Sequence, residues 1–356
     1  MQDQLRISQG RRFIARPVRF GAVVAFWLSL VGSPATATEI PYALQGSGPG
    51  CIDDWIVSAH QLTCCGDAAE AVEQLQIWHR EPGGWVRYGY SAFIAAIASD
   101  VPVTIYIHGI FATVESATRE SDNLFRKVGA GLPPFRGIVW LWPSDYQFGV
   151  SFRDQVDRAL AHGQLQAACL ATIIRSVELS TPVNLVGHSL GCDIVGATLH
   201  RLATAGIGVT DCTRRRMLQA LLLAPTIERC SLWPGGEFSG ALSQVDRLLV
   251  TYNPEDVALL AYEQIHQGAA LGLHGLPPPT QPEQALKLLQ INAHPAVGVR
   301  HTPYVYFESP LVAPLLRSFL SDPIVADVRP AVRRSADRTC TSSPAVIAVV
   351  GSDWPR

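Results

Sequence analysis

At 356 residues, with 48% apolar and 16% charged side chains, the chain can bury a large core, which excludes a disordered or low-complexity protein. A formal net charge of -2 gives no electrostatic reason for a nucleic-acid partner, and none is expected. The eight cysteines include no C-x-x-C pair, so a zinc ribbon or thioredoxin-like redox site is not supported.

The N-terminus reads as an export signal. Arg11, Arg12, Arg16 and Arg19 form a basic region, the run from Phe20 to Gly32 is apolar, and Ala35-Thr36-Ala37 fits small-residue cleavage after Ala37. About 13 apolar residues fall short of the ~20 that a spanning helix needs. Residues 1–37 are therefore expected to be removed, leaving no stable membrane span and a periplasmic or extracellular protein. All the cysteines lie beyond that point. Export permits disulfides, but Cys169 and Cys192 occupy apolar positions of predicted helices and are expected as buried thiols.

Residues 38–100 are assigned to the same domain as residues 101–321. Within them, two apolar-aromatic runs between Gln76 and Arg87 flank Glu81-Pro82-Gly83-Gly84, the pattern of a β-hairpin. Further strands are predicted at Val103 to Ile107, Ile138 to Trp142, Val183 to Val186, Leu218 to Leu223, Arg247 to Tyr252 and Leu288 to Ile291. Ser151 to Val177 and Leu190 to Leu202 are the clearest helices between them. In the second, Leu190, Ile194, Val195, Leu199 and Leu202 recur at the spacing of one buried helical face. The alternation predicts an α/β domain over residues 101–321, with a mostly parallel central sheet and helices on both faces. Gly268 to Pro282 reads as a loop or small cap, Leu311 to Leu320 as a terminal helix, and residues 322–356 as a weakly ordered tail. There is no P-loop or dinucleotide-type glycine signature, so neither cofactor nor metal is implied.

Gly187-His188-Ser189-Leu190-Gly191 joins the strand at Val183 to the next helix. A sharp strand-to-helix turn lifts its central residue above the sheet, and flanking glycines keep side chains out of the bend. Ser189 could there attack an acyl carbon while the Leu190 N–H binds the developing oxyanion. Such a serine needs a base, and the base needs an orienting acid.

Asp256 comes after the strand Arg247 to Tyr252 and the turn Asn253-Pro254-Glu255, at the carboxyl end where functional groups of open α/β sheets gather. Its bland alternative is a helix N-cap. Glu228 is the runner-up acid, Asp246 belongs to the opposite edge, and Asp193 is read as a local hydrogen-bonding group. His301 lies in Val299-Arg300-His301-Thr302-Pro303-Tyr304 and is the favoured base over His294. The second oxyanion donor is expected from His108-Gly109-Ile110-Phe111, with Ile110 first, Phe111 behind it and His108 as a loop brace. Trp142-Pro143-Ser144-Asp145 is either pocket lining or a turn.

From about Val101 to Leu320 these segments resemble the α/β-hydrolase superfamily, specifically a bacterial esterase/lipase-like branch. The strand leading into H-G, the W-P-S turn, G-H-S-L-G, N-P-E-D and H-T-P-Y fall in that family's order. The resemblance implies an eight-stranded, mostly parallel sheet and hydrolysis through an acyl-enzyme. No large lid insertion is evident, which speaks against interfacial lipase action on long-chain fat. The expected function is an exported serine hydrolase of carboxylic esters, acting on a small-molecule or acyl-ester substrate. Acyl transfer or peptide cleavage by the same triad is the enzymatic alternative, and a non-catalytic binding protein on this scaffold is the rival from another class.

Overall fold

The structure, a computed structural model, describes residues 50–62, 67–205, 217–279 and 282–321. The predicted signal, Cys64, Cys65, Cys212, Cys340 and the predicted tail lie outside the described residues. In chain order the elements are β1 (Cys51–Ser58), α1 (Ala68–Glu73), β2 (Gln76–Glu81), β3 (Gly84–Tyr88), α2 (Tyr90–Ile97), β4 (Val103–Ile107), α3 (Val114–Lys127), β5 (Phe135–Leu141) and α4 (Phe152–Ser176). Next come β6 (Val183–His188), α5 (Gly191–Thr204), β7 (Leu218–Leu223), α6 (Ala241–Gln244), β8 (Arg247–Tyr252), α7 (Val257–His266) and α8 (Leu271–His274). The last are α9 (Pro282–Ala285), β9 (Leu288–Asn292), α10 (His294–Val297), α11 (Tyr304–Phe307) and α12 (Val312–Ser321).

All these strands form one nine-stranded sheet in the order β3-β2-β1-β5-β4-β6-β7-β8-β9. β2 pairs antiparallel with both β1 and β3, and the remaining pairings are parallel. Every strand read from the sequence is present. The eight strands implied by the resemblance are one too few, because Cys51–Ser58 is also a strand. Its first half carries Asp53 and Asp54, which interrupt the apolar signal. Asp53 is tolerated because Arg136 Nε donates to its Oδ2 at 3.2 Å, with His79 on the other oxygen, and Arg80 Nη1 stands 3.8 Å from Asp54 Oδ2.

Strand side chains alternate between faces, and two cores result. Ile105 and Ile107 of β4 belong to one core, with Trp140, Leu185 and the inner sides of α4 and α5. Tyr106 belongs to the other, with Val139, Val186, Phe307 and the inner sides of α3 and α12. Helices thus cover both faces, as the alternation of strands and helices requires. α4 is started by Ser151, whose Oγ accepts from Asp154 N. Its buried Gln166 accepts a hydrogen bond from Trp140 Nε1 at 3.1 Å, tying helix to sheet. Cys169 and Cys192 are buried, as expected. The segment read as a loop or cap contains α8, whose Leu271 and Gly272 amides bond to the Ile227 and Pro225 carbonyls.

The sheet order fixes where a site can form. From β4 the chain moves to β5 on one side, then returns past β4 to β6 on the other. The carboxyl ends of β4 and β6 therefore flank a topological switch point, where loops diverge and leave a crevice. Ile107 lies opposite Gly187 in the register, so the His108-Gly109 loop and the Ser189 turn face each other across it.

Candidate active site

Ser189 is the bend itself. It has φ of +52°, left-handed backbone that a non-glycine residue adopts only when its surroundings enforce it. The enforcement is visible. Ser189 N donates to Leu223 O at 2.9 Å, and Cys192 N donates to Ser189 O at 3.0 Å as α5 begins. A Cβ on Gly191 would lie 2.3 Å from the Ile107 carbonyl oxygen, and one on Gly187 would lie 2.9 Å from Cys192 Cα. Strand and helix approach so closely that neither position has room for a side chain.

The sequence order Ser189, Asp256, His301 becomes a line of contacts in space. His301 Nε2 lies 2.9 Å from Ser189 Oγ, and His301 Nδ1 lies 2.8 Å from Asp256 Oδ2. All three are buried, Asp256 completely. Asp256 is also the N-cap of α7: its Oδ1 accepts from Ala258 N at 3.0 Å and Leu259 N at 3.1 Å. One carboxylate oxygen thus meets the His301 ring and the other caps the helix. This is an α/β-hydrolase fold.

Other acids and bases of the sequence are elsewhere. His294 starts α10 and stands 3.7 Å from Glu255. Glu228 accepts from Cys230 N at 2.9 Å, and Asp246 accepts from Leu218 N at the opposite edge of the sheet. Asp193 accepts from Thr226 Oγ1, the local role expected of it.

The amides expected to bind an oxyanion differ in their partners. Phe111 N donates to Ser144 O at 2.7 Å, so the second-choice donor is already occupied. The Ile110 and Leu190 amides have no acceptor among the described residues. Gly109 lets the two loops close: a Cβ there would stand 3.1 Å from Ser189 Cβ and 3.0 Å from His188 Nδ1. His108 braces the loop, its Nδ1–H donating to Gly109 O at 2.9 Å and its Nε2 accepting from Trp142 N at 3.2 Å. Burial pushes its pKa down to about 4, so it stays neutral.

Trp142 is buried and stacks on His108, whereas Pro143, Ser144 and Asp145 line a cavity of about 90 Å³ together with Ile110. A second cavity, about 160 Å³, is bounded by Leu190, Ile194, Phe238, Tyr262, Asp193 and Glu237. Trp233 packs in the core.

Two residues of this site belong to the N-P-E-D and G-H-S-L-G motifs, yet the motifs alone assign them no role. Asn253, fully buried, donates from Nδ2 to Gly298 O at 2.7 Å and binds the Asp256 turn to the His301 loop. His188 donates from Nε2 to His301 O at 2.8 Å. Their partners lie 45 and 113 residues away, beyond any local pattern.

No family model matches the chain, and no curated protein does. Among solved structures, esterase B from Lactobacillus rhamnosis (HN001) is 14% identical, with a TM-score of 0.36, over 84% of this chain and 93% of that one. A variant of esterase rPPE is 14% identical, with a TM-score of 0.37, over 85% and 96%. An esterase of the fungus Rhizomucor miehei is 13% identical, with a TM-score of 0.33, over 69% and 79%. Likeness at this level leaves the chemistry to be read from the chain's own residues.

Proposed function

We propose that the chain is an exported serine hydrolase that cleaves carboxylic esters through an acyl-enzyme. The observation that carries this reading is the line Ser189 Oγ, His301, Asp256 Oδ2, with separations of 2.9 and 2.8 Å, at a strained strand-to-helix turn. His301 Nε2 takes the Ser189 proton as Oγ attacks the acyl carbon. Asp256 does not take that proton; it holds the Nδ1–H and stabilises the imidazolium. The Leu190 and Ile110 N–H groups donate to the oxyanion of the tetrahedral intermediate. His301 then returns the proton to the departing alkoxide, which leaves as the alcohol. Water next gives a proton to Nε2 and attacks the acyl carbon. Ser189 Oγ departs, recovers the proton, and the carboxylic acid is released.

The test is direct. Ser189→Ala is expected to abolish p-nitrophenyl-ester turnover and labelling by a fluorophosphonate probe. Labelling unchanged in that variant would refute the assignment. Export belongs to the same proposal: mass spectrometry of the secreted or periplasmic protein is expected to find Thr38 as its first residue. Protein that keeps Met1 and stays in the cytoplasm would overturn that part alone.

A further inference from the structure

His188 stands beside the nucleophile yet takes no part in the proton transfers. It is 6% exposed and ends β6. Its Nε2 lies 2.8 Å from the backbone oxygen of His301, and a carbonyl only accepts, so the proton of this imidazole is on Nε2. The His188 and His301 rings stand 5.0 Å apart, tilted by 46°. On its other side, Nδ1 faces Gly109, where a Cβ would come within 3.0 Å. One side chain thus touches the loop proposed to bind the oxyanion and the loop that carries the proposed base.

The contacts close a ring. Ser189 Oγ meets the side chain of His301, and the residue before Ser189 meets the main chain of His301. Asp256 orients the imidazole, but a ring held at Nδ1 can still shift with the backbone that carries it. His301 is in no helix or strand. Upstream ties hold Gly298 to Asn253 and Val299 to Val257, on the Asp256 side of the loop. A tie at the His301 main chain runs to the elbow.

We infer that His188 is a positioning residue, a latch that sets the distance between Ser189 and His301 by holding the main chain of the base. The inference rests on the triad reading above. Burial, and after it the neighbouring His301, pushes the His188 pKa down to about 3, so the latch stays a neutral Nε2–H donor when His301 becomes imidazolium.

The test compares three variants of the full chain. Gln at 188 can reach the carbonyl with an N–H, Asn is one methylene too short, and Leu has no donor. Turnover of a p-nitrophenyl ester is normalised to the sites titrated by a fluorophosphonate. Expected is a roughly 10- to 100-fold loss of kcat in His188→Asn and His188→Leu, with KM within about twofold, and His188→Gln restored to within about fivefold of the parent. A merely structural histidine would lower the fraction of titratable sites and leave kcat per site unchanged, and that result overturns the latch. So does a Gln variant as slow as Asn, which is also the comparison to use if Leu does not fold. The latch has a second readout independent of turnover. In [15N]histidine spectra, the resonance lost in His188→Gln is expected to be the Nε2–H tautomer at neutral pH; an Nδ1–H tautomer contradicts the proposal. If Ser189→Ala keeps esterase activity, the triad reading fails and that spectrum still decides the latch.

Discussion

Asp256 shows how one residue can hold a helix end and a histidine ring through different atoms. Its Oδ1 caps α7 and its Oδ2 holds His301. Asn caps helices about as well as Asp but cannot balance an imidazolium. Asp256→Asn is therefore expected to unfold at nearly the parent's denaturant midpoint while losing roughly 10⁴-fold in kcat. Asp256→Ala should lose activity and, in addition, about 1 kcal/mol of stability through the cap. An Asn variant with parental turnover would remove Asp256 from the mechanism. Buried ionisable groups also set a pH dependence of stability. His108 and His188 are held down to about 4 and about 3, so between those values and about 6.5 the unfolded chain binds more protons, and stability falls as pH drops through that window. Asp193 has the opposite sign. Burial pushes it up to about 7, so the folded chain keeps a proton that the unfolded chain releases above about 4, and stability is lost as pH rises towards 7. Asp193→Asn removes that penalty. Its advantage over the parent in urea unfolding is expected to be larger at about pH 7.5 than at about pH 4.5. An equal difference at both pH values would contradict the assignment.

At the scale of elements, the β6–α5 junction is closely packed. Gly191 faces two backbone oxygens, at 2.3 and 2.6 Å from an added Cβ, and backbone cannot swing aside as a side chain can. Gly191→Ala is expected to destabilise by about 3 kcal/mol, the upper part of the usual overpacking range. Gly109 meets its nearest neighbours only at 3.0–3.1 Å. Gly109→Ala should therefore fold with a much smaller loss and show its effect in kcat, because it displaces the Ser189 side chain. Thermal unfolding beside kinetics separates the two; equal stability losses would contradict this ranking. Elements of this kind were legible wherever periodicity and punctuation agree. The hairpin around Pro82-Gly83, β4, β7 and β8 fall where the sequence puts them. β5 starts earlier, at Phe135, because its N–H is paired by Gly50 O, a contact no local signal announces. β1 was hidden because Asp53 and Asp54 suppress its apolar pattern, and their partners, His79 and Arg136 for Asp53 and Arg80 for Asp54, come from other strands.

For the whole molecule, topology converts a linear series of motifs into a site. The reversal of strand order at β4 opens the crevice, β6 delivers Ser189 to one side of it, and the turns after β8 and β9 carry Asp256 and His301. The triad candidates were readable because each comes after a recognisable strand, so the carboxyl end of the sheet could be inferred for all three. Contacts between loops were not readable: Phe111 with Ser144, Asn253 with Gly298 and His188 with His301 depend on tertiary approach. The cavities beside Ile110 and Leu190 are likewise built from residues far apart in the chain, Ile110 with Arg158 and Leu190 with Tyr262. Under the proposed function, Ser189 is an activated nucleophile. The most direct measurement is peptide mapping by mass spectrometry after reaction with a fluorophosphonate. One adduct per chain, on Ser189 and absent from His301→Ala under the same exposure, is the expected result. No adduct on the folded protein, or an adduct on another serine with Ser189 unmodified, would contradict it.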